Sequence, residues 1–122
     1  MELRVVRFTD RFDAASRFWG ELLAWPLTRS WPAGDGQGRG GIYGYGDTGR
    51  VELIEVHAAV PVTGFKLGIE VDDVAALHDR VVAAGHVPSQ GLADQPWGHR
   101  NFSVIDPSGI DVTLFQVMAE HD

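Results

Sequence analysis

Apolar and polar residues alternate along this chain in short runs, and helical spacing interrupts them twice. The first helical segment follows Asp13, a candidate N-cap, and carries Ala15, Phe18, Trp19, Leu22 and Leu23 at i, i+3, i+4, i+7 and i+8, with Pro26 just beyond its end. The second follows Asp73 and places Val74, Leu77, His78, Val81 and Val82 on one stripe, with Gly85 as its C-cap. The remaining apolar runs read as strands: Leu3–Phe8, Leu27–Trp31, Ile42–Tyr45, Val51–Val56, Phe65–Val71, a weak piece near His86–Val87, Asn101–Ile105 and Val112–Val117. Asp106-Pro107-Ser108-Gly109 is a turn joining the last two strands, and Asp47-Thr48-Gly49 serves similarly earlier. Gly34–Gly41, with five glycines in eight residues, lacks phosphate-loop spacing and reads as a mobile connection.

The order is therefore strand, helix, three strands, given twice. Thr9-Asp10 before Ala14-Ala15 answers to Val71-Asp72 before Ala75-Ala76, and Val51-Glu52-Leu53 answers to Val112-Thr113-Leu114 at an offset of 61. Such a pattern is an internal duplication of a βαβββ unit. It predicts an α+β fold of two tandem βαβββ modules, residues 1–60 and 64–117, with a tail over 118–122. Together they form one domain whose curled mixed sheets surround a cleft. Pro61 to Gly64 joins the halves.

Composition narrows the function. At 122 residues the chain is long enough for one core without staples. It has no cysteine, which excludes disulfides, thiolate metal sites and thiol catalysis. The net charge of −7 argues against nucleic-acid and anionic-membrane partners and leaves room for a neutral or cationic organic molecule. No apolar run approaches the roughly 20 residues of a membrane span, and the first residues do not form a secretory signal, so a cytoplasmic protein is expected. Of ten basic residues, nine are arginine and one is lysine, Lys66.

The ordered motifs Phe8-Thr9-Asp10, Phe18-Trp19-Gly20-Glu21-Leu22-Leu23, Val51-Glu52-Leu53, Ile69-Glu70-Val71-Asp72 and Pro96-Trp97-Gly98-His99-Arg100 through Asp106-Pro107-Ser108-Gly109 cover nearly the whole chain. In this the chain resembles the vicinal-oxygen-chelate superfamily of glyoxalases, bleomycin-resistance proteins and ring-cleaving dioxygenases. The resemblance implies a homodimer. It also implies four metal-ligand positions, which fall on Leu3, Glu52, Lys66 and Thr113. One of the four is a carboxylate, and divalent metals need several converging imidazoles or carboxylates. No metal and no cofactor are therefore expected. The branch most resembled is the bleomycin-resistance type, which sequesters a drug in an aromatic-lined crevice without chemistry.

Strand alternation then sorts residues by face. Leu3, Val5 and Arg7, Glu52 and Ile54, Lys66, Gly68 and Glu70, His99, Asn101 and Ser103, and Thr113 and Phe115 are assigned to the cleft. Val6 and Phe8 are assigned to the core. Glu52 is expected opposite Lys66, either orienting a ligand or closing a dead site as a salt bridge. Trp31 and Trp97 supply flat walls, while Tyr43 and Tyr45 share one face that is either cleft or core. The candidate ligand-binding set is Arg7, Trp31, Glu52, Lys66, Trp97, His99, Asn101, Thr113 and Phe115. Of the other histidines, His78 is assigned to a helix–sheet contact, and His57 and His121 to solvent.

Three functions stay open. One is metal-free binding of a small aromatic or cationic molecule. Another is enzymatic: a lyase, isomerase or dioxygenase, either metal-dependent through Glu52, Glu55 or His57, or metal-free with Glu52 or His99 as base and Lys66 stabilising an oxyanion. The third is a ligand-sensing or assembly module.

Overall fold

A computed structural model describes residues 1–119. The chain divides into two compact units, Met1–Pro61 and a second that begins at Val62. The first contains β1 (Leu3–Thr9), α1 (Phe12–Arg17) continued by a π-helical turn (Phe18–Leu22), β2 (Leu27–Trp31), β3 (Gly40–Tyr45) and β4 (Gly49–Glu55). The second contains β5 (Lys66–Glu70), α2 (Val74–Ala83), β6 (Gln90–Asp94), β7 (His99–Ile105) and β8 (Asp111–Val117). Each unit is a βαβββ module with a four-stranded mixed sheet, ordered β1-β4-β3-β2 in the first and β5-β8-β7-β6 in the second. In both, the first strand runs parallel to the last and the other pairings are antiparallel. The α+β duplication read from the sequence is the observed fold. His121 and the end of the expected tail lie outside the described residues.

Each sheet buries one face beneath its helix. In the first module Val51, Leu53 and Tyr43 meet Ala15, Phe18, Trp19 and Trp25, all buried. Tyr43 is core: a methyl group built on Gly20 would come within 2.8 Å of its ring. Tyr45, on the same strand face, lies 4.9 Å from the Trp25 ring, which in turn sits 4.8 Å from Trp19. In the second module Phe102, Val104, Val112 and Leu114 pack under Val74, Leu77 and Val81, and the His78 ring meets Phe102 edge-on at 5.1 Å. Val82, assigned to that stripe, is instead 47% exposed.

The caps follow local chemistry. The Asp73 carboxylate accepts from Ala76 N at 3.1 Å, and Gly85 takes φ +93° to end α2. Asp106 accepts from Ile110 N at 2.8 Å and from the Ser108 hydroxyl, which fixes the β7–β8 turn. Asp13 does not cap its helix. It lies within the first turn, where a negative charge suits the helix dipole, and pairs with Arg39 at 2.9 Å.

The glycine-rich segment, read from the sequence as a mobile connection, carries defined local contacts. Gly34 and Gln37 exchange two backbone hydrogen bonds of 3.0 Å, closing a tight turn. Beyond it, the Arg39 guanidinium binds Asp13 and, at 2.7 Å, Glu55, and lies 4.8 Å from the Phe12 ring. The Arg39 side chain, followed by its backbone N–H, holds the Glu55 carboxyl below its ordinary value of 4.5. A carboxyl depressed on folding stabilises above its unfolded pKa, and that contribution disappears as pH falls through the folded value. Arg39→Met is therefore expected to lower the thermal midpoint at pH 7, with the gap to the parent closing below about pH 4. Melting curves from pH 7 to 3 test this, and a pH-independent gap contradicts it.

Candidate functional site

The face of each sheet opposite its helix is open, and strand register fixes which side chains reach it. In the first module Val6 pairs with Glu52 and Phe8 with Ile54; in the second Gly68 pairs with Thr113 and Glu70 with Phe115. The two registers superpose at 68 − 6 = 62 for the first strands and 113 − 52 = 61 for the last. By the same rule Lys66 (66 − 62 = 4) answers to Arg4, not Leu3. The open face of β1 is thus Arg4, Val6 and Phe8. The assignment of Leu3, Val5 and Arg7 to it, and of Val6 and Phe8 to the core, is off by one residue. Val6 and Phe8 are 45% and 52% exposed, whereas Thr9, in step with Val5 and Arg7, is 1% exposed. Arg7 leaves the candidate set accordingly; its guanidinium donates to the Val60 carbonyl at 3.0 Å.

The second module gathers most of the other candidates. Lys66, Trp97, His99, Asn101, Thr113 and Phe115 line one cavity of about 530 Å³, joined by Gly68, Gln90 and Gln95. Its position follows from the β6–β7 connection, where Pro96 presets the corner and Gly98 takes φ +88°. Gln95 N donates to His99 O at 2.7 Å across that turn. Trp97, 47% exposed, stands at the mouth. The His99 ring stacks on Phe115 with centroids 4.6 Å apart and planes 9° apart, and Trp97 meets His99 nearly edge-on at 6.5 Å. Below these rings lies a polar floor. Gln95 Nε2 donates to Asn101 Oδ1 at 3.0 Å, Ser103 Oγ donates to Gln90 Oε1 at 3.3 Å, and the Ser103 and Thr113 hydroxyls lie 2.8 Å apart. Lys66 Nζ donates to Ser103 Oγ at 3.4 Å and pairs with Asp111 at 3.7 Å.

Gln90 and Gln95 were not legible as site residues. The weak strand read near His86–Val87 is β6, displaced to Gln90–Asp94, where Gln90-Gly91-Leu92-Ala93-Asp94 offers no apolar alternation. The one available signal was Gln95 directly before the Pro96-Trp97-Gly98 turn.

Trp31 and Glu52 belong to the first module, where they line a cavity of about 420 Å³ with Arg4, Arg29, Ile42 and Ile54. Glu52 accepts from Arg4 at 2.8 Å, so its carboxylate is already engaged within its own module. Hydrogen bonds to Glu2, and then to Glu52, raise the Arg4 guanidinium above its ordinary value. Glu55 and His57 border a different cavity of about 700 Å³, and Glu55 is held by Arg39. The carried-over positions thus present Leu3 or its register-corrected neighbour Arg4, a guanidinium-bound Glu52, the cation Lys66 and the hydroxyl of Thr113. This donor set does not fit a divalent ion, and among the described residues no three His, Asp or Glu side chains cluster as ligands.

Trp31 is seated by the absence of a side chain. A methyl group on Gly40, its partner across β2–β3, would stand 1.9 Å from the indole. Gly40→Ala is expected to displace the ring and cost about 1–3 kcal/mol, as overpacking does. Urea unfolding with intrinsic fluorescence checks both effects, and Trp31→Phe identifies the signal of this indole. An unchanged emission and midpoint count against the seat.

Comparison with known proteins agrees with this architecture. The sequence profile of the Glyoxalase/Bleomycin resistance protein/Dioxygenase superfamily matches residues 3–114. No curated protein sequence matches the chain. Among solved structures, TioX from Micromonospora sp. ML1 is similar at a TM-score of 0.77 and 23% identity, covering 96% of this chain and 98% of that one. TnmS3, an antibiotic binding protein from Streptomyces sp. CB03234, gives a TM-score of 0.72 at 23% identity over 96% and 95%. A glyoxalase I mutant from Zea mays gives 0.80 at 19% identity over 98% of this chain and 48% of its own. No helix among the described residues is long and apolar enough to cross a membrane. With a superfamily profile spanning both modules, the chain belongs to the Glyoxalase/Bleomycin resistance protein/Dioxygenase superfamily.

Proposed function

We propose that this protein is a metal-free binding protein that holds a planar organic molecule, of drug or aromatic-metabolite type, in the cavity of its second module. The observation that carries this reading is the parallel His99–Phe115 stack beside Trp97 over a floor of carboxamides and hydroxyls. Such a preformed aromatic wall with a few fixed polar groups suits retention of a flat ligand. The antibiotic-binding description of TnmS3 supports the same reading. Chemistry finds less support. Glu52, one candidate base, is ion-paired to Arg4, and no carboxylate lines the second-module cavity to orient His99 as the other.

The working assembly in this proposal is a homodimer, as the superfamily resemblance implies. Light scattering at micromolar concentration is expected to give twice 13.3 kDa, and a monomer mass contradicts the dimer.

Calorimetry with planar antibiotics and polycyclic aromatic compounds tests the binding role. Binding is expected, with Phe115→Ala weakening it about tenfold, or ~1.4 kcal/mol, at the upper range for one aromatic contact. The bound compound should be recovered unchanged. Stoichiometric Fe, Mn, Ni or Zn in protein prepared without added metal, or conversion of the compound, overturns the proposal.

A further inference from the structure

We infer that the second-module cavity selects ligands by their hydrogen-bond acceptors: a planar molecule with a carbonyl, phenolate or carboxylate oxygen, neutral or anionic, in preference to a cation. This rests on the binding role proposed above and adds the ligand's polarity to it.

Ser103, 1% exposed, has one hydroxyl proton, and it goes to Gln90 Oε1 at 3.3 Å. The 2.8 Å contact with Thr113 must then use the Thr113 proton, and Ser103 Oγ also accepts from Lys66. Both lone pairs of Ser103 are therefore occupied. Asn101 Oδ1 is likewise engaged by Gln95 Nε2 at 3.0 Å. The internal network thus engages one oxygen each of Gln90, Asn101 and Ser103, while the amide nitrogens of Gln90 and Asn101 are left without an acceptor among the described residues.

Asn101 is the decisive group, because it is only 9% exposed and that exposure opens on the cavity. An N–H that a bound molecule shuts off from solvent must be given an acceptor, and a ligand oxygen supplies one. Lys66 Nζ lies on the same face and brings a third donor with positive charge. Asp111 partners it from outside the lining, at 3.7 Å, with the second Asp111 oxygen buried and unbonded. The acceptors left to a ligand are Gln95 Oε1, the Thr113 oxygen, the second lone pairs of Gln90 Oε1 and Asn101 Oδ1 and one ring nitrogen of a neutral His99, all uncharged. A cation entering here would meet Lys66 and no carboxylate in the lining. An acceptor-bearing ring against the His99–Phe115 wall would meet Asn101 and Lys66.

Three probes with the same bicyclic ring test this: 2-naphthoate, 2-acetylnaphthalene and (2-naphthyl)methylammonium, each titrated calorimetrically into the full chain. Both acceptor probes are expected to bind at least tenfold more tightly than the ammonium. Asn101→Leu should erase most of the advantage of 2-acetylnaphthalene over the ammonium, and Lys66→Met should weaken the naphthoate most. If Asn101→Leu does not fold, the order of the probes on the parent chain and the Lys66→Met response decide the question. Equal binding of all three, with Phe115→Ala weakening each, overturns the selectivity and leaves the aromatic binding role standing. Tighter binding of the ammonium also overturns the selectivity. If no probe binds, both readings fall together.

Discussion

In each module the first strand lies parallel to the last, and this pairing decides which side chains reach the open face of the sheet. Antiparallel neighbours can be joined by a tight turn, but a parallel pair needs the chain to cross over. Here the helix and two further strands make that crossing, so the residues that meet come from opposite ends of a module. Val6 meets Glu52 and Gly68 meets Thr113 across these ladders. Because side chains alternate with period two, a one-residue slip in either ladder would send every open-face group into the core. The core resists such a slip, since Leu53, Val112 and Leu114 are all completely buried. Placement of the functional groups is thereby tied to packing on the opposite face.

That dependence explains what the sequence disclosed. On β7 the apolar residues Phe102 and Val104 alternate with Asn101 and Ser103, so the pattern alone put the polar groups on the open face, where the structure has them. On β1 the run Val5-Val6-Arg7-Phe8 is apolar on both sides, and the polar Thr9 is one of the buried residues. Alternation had no purchase there. It placed Arg7 where Arg4 belongs, and only the pairing with β4 corrects it. β6 failed for the opposite reason: it is an edge strand with little apolar content, so nothing marked Gln90 or Gln95. The helix of the first module was legible in its stripe but not in its start, at Phe12 ahead of Asp13, or in its π-turn, where Gly20 packs against the Tyr43 ring.

The duplicated register also relates the two modules chemically. Equivalent open-face positions hold Arg4 in one and Lys66 in the other, yet their partners differ. Arg4 lies in a tight ion pair with Glu52 at 2.8 Å, while Lys66 has a looser one with Asp111 at 3.7 Å. A guanidinium already committed to a carboxylate has less to offer a ligand than an ammonium whose contacts are long. The aromatic walls differ as well. Trp31 lies over the bare backbone of Gly40, whereas His99 and Phe115 stack on each other across neighbouring strands. One ancestral layout has therefore produced two cavities with different chemistry.

Overall charge and local charge point in opposite directions here, and distance decides between them. The −7 of the whole chain leaves room for a neutral or a cationic ligand and would draw in the cation. Its field is screened over roughly 8 Å at physiological ionic strength, so it acts mainly on the rate of approach. A ligand in the cavity would meet groups at hydrogen-bond distance, where a donor left unmet on burial is worth about 1–3 kcal/mol. The lining contains Lys66 and amide nitrogens but no carboxylate. Five carboxylates are engaged by arginines outside that lining: Asp13 and Glu55 on Arg39, Glu2 and Glu52 on Arg4, and Asp94 on Arg100. Arginine provides those structural ion pairs, and the one lysine stands at the cavity. Net charge therefore describes the surface of this protein, while in our proposal the polarity of the ligand is set by Lys66 and the amide nitrogens of Gln90 and Asn101.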